Sequence, residues 1–288
     1  MHVVTRPSES FRIAGGALEV HCLPAARDNL VWLLVCAKSG EAAAVDGPSA
    51  EEALAWCEAR GLRLTTVINT HTHGDHIGIN LGLQERGLLE SMRVIGAASR
   101  ASEIPGLTQP VVEGDVIRVG GAEAQVWLTE GHIDGHLSYV FDGAVFCGDT
   151  LFTGGCGYLF DGPPEAMFRS LRRLSTLPPD TRVCCAHEYT QDNLRFAWSI
   201  EPGNPALAER IRRVWATRSR GGCAVPSTIG EERATNPFLR TGASGLRAAV
   251  EAAVGHSIVG EADMFAATRA LKDRKLYRSL DEGRLPLG

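Results

Sequence analysis

Lysine is nearly missing from this chain. Among its 29 basic residues only Lys38, Lys272 and Lys275 are lysine, so any lysine stands out from an arginine background. A surplus of positive charge is also lacking, because 34 acidic residues give a formal net charge of −5. Such a chain has no basic excess to neutralise a phosphate backbone, and nucleic-acid binding is not expected. Continuous apolar stretches such as Val31 to Ala37 fall far short of the ~20 residues of a membrane span, so no membrane association is expected. The opening MHVVTRPSESFRIAGG has no apolar segment of a secretory signal, and a cytoplasmic location is expected. No Cys-x-x-Cys pair occurs among Cys22, Cys36, Cys57, Cys147, Cys156, Cys184, Cys185 and Cys223. Irregular spacing without a signal peptide points to reduced, mostly buried thiols. Internal repeats and low-complexity tracts are absent as well.

What is present is ordinary globular material, 288 residues with 44% hydrophobic and 22% charged, enough for one large domain or two. The first ~16 residues read as a leader ending at Gly15-Gly16. Strands are expected at Leu18 to Leu23, Val31 to Cys36, Ala42 to Val45 and Leu64 to Asn69. Ser49 to Arg60 reads as a helix that Ser49 caps, Glu52 completes as a capping box and Gly61 ends. A helix near Ile77 to Leu88 and strands near Arg93 to Gly96, Ala124 to Thr129, Leu137 to Phe141 and Ala144 to Cys147 follow. Pro164 to Thr176 fits a helix with Met167, Leu171 and Leu174 on one face, and Arg182 to Ala186 is again strand-like. Beyond Thr190 the pattern turns helical, at Asn193 to Ile200, Pro205 to Arg218, Gly245 to Val254 and Glu261 to Arg278. Interspersed strands and helices predict a layered α+β catalytic domain over 1–189, and the rest a helical domain over 190–288.

The chemistry concentrates in Thr70-His71-Thr72-His73-Gly74-Asp75-His76, four metal-ligand side chains within six positions directly after a hydrophobic strand. Strand ends in layered αβ proteins are where ligands bind. His71 and His73 are two apart and can point the same way on an extended loop. Asp75 and His76 are adjacent and reach different points. Imidazole and carboxylate suit zinc, iron or manganese. One such cluster cannot complete two metal sites. His132 in TEGH, Asp149 in CGDT and His187 in CAHEY each follow a later strand. An isolated His or Asp there is more often structural, yet the three share one kind of position, which a fold can gather at one edge. His136 lies four residues after His132, a helical ligand spacing. The segment runs straight into a strand, however, so His136 reads as a supporting or packing residue. His2, His21 and His256 have no partner motif.

Taken together, H-x-H-x-D-H, T-x-G-H, G-D-T-L-F and the HEY segment resemble the metal motifs of the metallo-β-lactamase superfamily. The similarity is greater still to its glyoxalase II branch, the hydroxyacylglutathione hydrolases, supported by LPPDTRVCCAHEYTQDNLRFAWSIEPGNPAL and NPFLR. It runs from about residue 18 to the C-terminal helix. The resemblance implies an αββα sandwich followed by an all-helical C-terminal domain, with two divalent metal ions, zinc first and iron or manganese as alternatives. His71, His73 and His132 would hold one ion, Asp75, His76 and His187 the other, and Asp149 would bridge them, with Asp75 and Asp149 as catalytic carboxylates. It also implies that Arg269 and Lys272 in TRALKD grip a glutathione carboxylate, and that Tyr189 and His187 meet the substrate. Their i, i+3 spacing does put both cations on one helix face. Tyr158 occupies the substrate position where the family commonly has Lys or Arg after G-C-G. Glu130 for Pro, Ile133 for Thr and Ile79 for Gly are further departures, and none removes a ligand.

The implied activity is hydrolysis of a glutathione thioester, such as S-lactoylglutathione, to glutathione and D-lactate in methylglyoxal detoxification. Metals can lower the pKa of water from ~15.7 to about 7. A thiolate leaves readily (a model thiol has a pKa of ~8.5), so a dedicated general acid is not needed. A monomer is expected. The competing readings are another superfamily thioesterase or hydrolase, an iron persulfide dioxygenase, and a non-catalytic metal-binding interaction protein.

Overall fold

The computed structural model describes residues 3–279 and 281–287, so His2 lies outside the described residues. The first half of the chain contributes β1 (Phe11–Ile13), β2 (Leu18–Ala25), β3 (Asn29–Cys36), β4 (Glu41–Val45), α1 (Glu51–Glu58), β5 (Arg63–Ile68), α2 (Gly74–Glu85), β6 (Arg93–Ala97) and β7 (Gln109–Val111). Its strands form one sheet in sequential order, antiparallel from β1 to β4 and parallel from β4 to β7. Next come β8 (Val116–Val119), β9 (Ala122–Leu128), β10 (Leu137–Phe141), β11 (Ala144–Gly148), the small hairpin β12 (Leu151–Phe152) and β13 (Gly155–Cys156), α3 (Pro164–Leu174) and β14 (Arg182–Cys185). The remainder supplies α4 (Thr190–Ile200), α5 (Pro205–Arg218), β15 (Ser227–Thr228), α6 (Ile229–Thr235), α7 (Ser244–Val254) and α8 (Glu261–Asp273). The second sheet runs β15-β14-β11-β10-β9-β8.

Two-residue periodicity explains the layering. In β3, Leu30, Trp32, Leu34 and Cys36 enter the core between the sheets, while Val31 and Leu33 pack outward with Ala53 and Cys57 of α1 and Ile79 and Leu83 of α2. A strand buried on both faces has to be apolar throughout, as this one is. On the far side, α3 buries Met167, Leu171 and Leu174 and lays Arg173 over Trp127. The helix α8 then stacks on α3, bringing Phe265 against Phe168. The result is helix, sheet, sheet, helix, with the C-terminal helices added to the last layer.

Four local expectations change. The leader is not a free arm, because β1 pairs with β2 and Arg6 bridges to Gly222. A three-residue strand is too short to leave a periodic trace. Ser49 Oγ accepts from Glu51 N (3.3 Å) and donates to Glu52 Oε2 (2.5 Å), so Ser49 does hold the first turn, but α1 starts at Glu51 with Ala50 already helical and the reciprocal capping box is not formed. The C-terminal part also lends β15 to the second sheet, where it pairs with β14. The helix α6 was not anticipated, since its seven residues (IGEERAT) carry too few apolar positions to show a stripe.

Contacts across the seam between the sheets fix one edge. The Trp32 indole donates to Cys185 O (2.9 Å), and Tyr139 Oη donates to Asn69 O (2.8 Å). Backbone bonds Leu137 N to Thr70 O and Leu30 N to Ala186 O (2.8 and 2.7 Å) draw the ends of β5, β10, β3 and β14 together.

Candidate metal centre

All seven motif residues converge on that edge. His71 and His73 sit on the loop after β5, and Asp75 and His76 in the first turn of α2. His132 comes from the loop between β9 and β10, Asp149 follows β11, and His187 follows β14. The structure groups His71, His73 and His132, then His71, His76 and Asp149, then Asp75, His76 and His187, with ligand atoms of each group within 4.8 Å of one another. Glycine is required beside Asp149. Gly148 has φ +45°, and a Cβ there would stand 2.3 Å from Thr70 Oγ1.

Hydrogen bonding aims the imidazoles. Thr70 Oγ1 donates to Asp46 Oδ2 (2.7 Å), so it accepts from His71 Nδ1 (3.1 Å) and leaves His71 Nε2 as a lone pair. His132 Nδ1 donates to Tyr158 O (2.7 Å) and His187 Nδ1 to Asp28 Oδ1 (3.0 Å), which frees both Nε2 atoms. His76 Nδ1 approaches Asp46 Oδ2 at 3.0 Å, an ion-pair approach rather than an aligned hydrogen bond. The inward nitrogens crowd together. His73 Nδ1 lies 3.1 Å from His71 Nε2 and 3.0 Å from His132 Nε2. Asp149 turns Oδ2 toward His132 (3.5 Å) and Oδ1 toward His76 and His187 (3.5 Å each). Buried His76 Nε2 and Asp149 Oδ1 have no hydrogen-bond partner among the described residues. Converging lone pairs and an orphaned buried carboxylate oxygen are costly alone and fit divalent cations held by nitrogen and oxygen donors.

The electrostatics agree. Burial first, and then the charges of neighbouring imidazoles, keep His71 and His136 well below the usual histidine range, in the neutral form a ligand needs. Burial would also lower His187, but Asp149, Asp28 and Asp75 outweigh it and push its pKa up to about 10. That end of the cluster attracts positive charge, whether proton or metal ion. His136 supports the cluster, as its place directly before a strand suggested. Its Nε2 accepts the backbone N–H of Asp149 (3.1 Å), and its ring stacks on His71 at 4.7 Å. His21 and His256 lie elsewhere; His21 packs on Trp56.

Sequence reasoning missed the outer partners. Asp28 and Asn29, whose Nδ2 donates to Asp75 Oδ2 (3.0 Å), sit in and after a hairpin turn and belong to no motif. Asp46 was findable, because it directly follows β4 just as Asp149 follows β11.

A cavity of about 390 Å³ adjoins the cluster, lined among others by Phe152, Tyr158, Tyr189, Asn193, Arg269 and Lys272. Tyr189 joins the two, its ring stacked flat on His187 at 4.8 Å. Arg269 and Lys272 are both buried, 6% and 7% exposed, rather than displayed on a solvated helix face. Arg269 pairs with Asp273 and donates to Cys156 O (3.2 Å), and Lys272 donates to Asn193 Oδ1. Burial, reinforced by the charge of Arg269, pushes the Lys272 pKa down to about 7. Tyr158 is 54% exposed and rests on Phe160. Its backbone carbonyl, not its side chain, serves the cluster, so position 158 can change side chain without disturbing His132.

Comparison with known proteins agrees with this geometry. Residues 39–187 match the metallo-beta-lactamase superfamily, and residues 188–275 match the hydroxyacylglutathione hydrolase C-terminus. A hydroxyacylglutathione hydrolase of Methylococcus capsulatus is 48% identical over 258 residues, 89% of this chain and 98% of that protein. Among solved structures, ETHE1 from Myxococcus xanthus shares the fold at 22% identity, with a TM-score of 0.57 over 96% of this chain and 93% of that one. TTHA1623, solved in a di-iron-bound form, is 27% identical with a TM-score of 0.51 over 76% of this chain and 98% of that one. With both halves matched and close relatives aligned along nearly their whole length, the chain belongs to the hydroxyacylglutathione hydrolase family of the metallo-β-lactamase superfamily.

Proposed function

We infer that this protein is a thioester hydrolase that converts a glutathione thioester, S-lactoylglutathione, to glutathione and D-lactate in the cytoplasm, as a step of methylglyoxal detoxification. The observation that carries this reading is the junction of a seven-residue His/Asp cluster with a cavity floored by two buried cations. In this reading His71, His73 and His132 would hold one cation, Asp75, His76 and His187 would hold the other, and Asp149 would serve both. The two faces that Asp149 presents support the bridge. Bound there, divalent cations supply Lewis-acid polarisation and activation of water at neutral pH. Zinc is assigned first; the di-iron form of TTHA1623 supports iron as the second choice.

The chain's own residues do the rest. Arg269 and Lys272 hold a carboxylate of the thiol carrier and so fix the thioester against the cluster. Tyr189 and His187 form the flat wall between anchor and reacting carbonyl, and Tyr158 stands at the rim. Asp75 and Asp149 accept hydrogen bonds from the attacking water and orient it. The departing thiolate needs no proton donor. All seven cluster residues and both anchors belong to one chain, so the site needs no second subunit, and the reading takes the protein as a monomer. A mononuclear persulfide dioxygenase would leave the Asp75, His76 and His187 group without a purpose, and a non-catalytic protein would leave the anchored cavity without one.

Elemental analysis and a lactoylglutathione assay test this reading together. Two metal equivalents per chain are expected. Asp149→Ala should empty both sites and lower turnover by at least ~10²-fold. Active protein with at most one equivalent and no response to added metal would overturn the dinuclear assignment.

A further inference from the structure

The cavity beside Tyr189 holds more charge than one carboxylate requires. Beyond Arg269 and Lys272 it is lined by Lys275, Arg278, Asp192 and Asp273. Arg269 is paired with Asp273, and Arg278 with Asp192 (3.0 Å). Lys272 donates to a neutral amide, that of Asn193. Lys275 alone among these lining cations has a side chain with no ion pair or hydrogen bond among the described residues. It is also one of only three lysines in the chain.

The backbone at Lys275 is unusual. Its φ is +57°, the left-handed region that a non-glycine residue rarely adopts. The turn ends α8 and carries the chain back across the cavity, where Tyr277 Oη donates to Asp192 Oδ2 (2.6 Å) and Arg278 pairs with the same carboxylate. Lys275 therefore sits on a segment tied down on both sides, at Lys272 by its own backbone N–H (3.0 Å) and at Asp192 by its neighbours. A held loop that places a lysine without an ion pair in the lining of this cavity suits an anionic group of the ligand.

Glutathione carries two carboxylates, one on glycine and one on the γ-glutamyl end, and an extended tripeptide spans about 10 Å. We propose that Lys275 binds the second of these, the γ-glutamyl α-carboxylate, while Arg269 and Lys272 take the first. This assignment rests on the glutathione-thioester reading above and makes Lys275 a specificity-determining residue for the thiol carrier.

Equilibrium binding separates the two ideas. The probes are S-methylglutathione and S-methylcysteinylglycine, which differ in the γ-glutamyl group and are not hydrolysed. The test variant is Lys275→Asn, since asparagine tolerates the left-handed conformation and removes the ammonium with most of its stem; Lys275→Arg is the rescue. Wild-type protein should prefer S-methylglutathione. Lys275→Asn should weaken that binding by on the order of threefold to tenfold, leave S-methylcysteinylglycine unaffected, and lose its effect at high salt. Lys275→Arg should restore the preference. Equal weakening of both probes, or no weakening of either, would overturn the proposal. Wild-type binding that ignores the γ-glutamyl group would overturn it too. Lactoylglutathione turnover by wild-type protein is read separately, so a failed hydrolase assignment shows as absent turnover rather than as a change in probe preference.

Discussion

Lys272 is an ammonium almost wholly withdrawn from water, with the rings of Phe196 and Phe238 about 6 Å away. Burial disfavours its charge and Arg269 opposes it, so it titrates at about 7 in the folded chain. Its unfolded pKa is ~10.4. Between these values the unfolded chain binds the extra proton, so this group makes ligand-free protein more stable as pH rises from about 7 toward 10. A bound carboxylate reverses the preference, because an opposite charge restores the ammonium. Glutathione binding at pH 8 should therefore take up most of a proton, measured by calorimetry in buffers of different ionisation enthalpy. Lys272→Met should abolish the uptake. Wild-type binding without proton uptake would show that the carboxylate does not reach Lys272.

The hairpin of β12 and β13 is the element that shapes the cavity, and it is too small to hold itself. Its carbonyls are gripped from the C-terminal half. Asn236 Nδ2 donates to Phe152 O (3.3 Å), Gly155 O (2.9 Å) and Glu232 Oε2 (2.9 Å), and Asn193 donates to Thr153 O (3.1 Å). Glu232 accepts from Gly154 N (2.8 Å) while its other oxygen pairs with buried Arg210. Asn236→Ala should cost roughly 1–3 kcal/mol in urea unfolding, because it strands buried acceptors. It should also raise KM, since Phe152 and Cys156 would shift. A loss below ~0.5 kcal/mol would mean the hairpin is held by packing. This clamp also marks what could be read from sequence. Long apolar strands and the α5 helix were legible in the sequence, whereas the cap of α5, Asn204 accepting from Ala206 and Leu207 N, was not read there. His71, His73, Asp75 and His76 were legible because their spacing reflects local chemistry, whereas His132, Asp149 and His187 were legible only from their places after later strands and from the family resemblance. Asn236 was visible only as part of NPFLR, with its purpose hidden, because its partners lie more than 80 residues away. Asp28 and Asn29 were invisible for the same reason, as contacts that exist only once β3 and β14 are joined.

At the scale of the whole molecule, the break in pattern near residue 190 does not divide the core. Trp32, Tyr139 and Phe146 of the sandwich belong to one buried cluster with Phe196, Phe238, Leu246 and Phe265 of the helical part. Among the described residues no helix is long and apolar enough to cross a membrane. A shared core predicts one cooperative transition: in hydrogen exchange, peptides from β10 and from α8 should lose protection at the same denaturant concentration. Separate midpoints would mean that the two parts fold independently. The seam has a consequence of its own. His71, His73, Asp75 and His76 hang from the first sheet, whereas His132, Asp149 and His187 hang from the second. An ion shared between them is a cross-link between two layers otherwise joined at this edge by apolar packing and a few hydrogen bonds. Because it binds only the assembled pair, its affinity adds to the stability of the fold by mass action. Catalytic competence and mechanical integrity of the sandwich are thus stapled at the same point, and a chelator would loosen the architecture as well as silence the chemistry.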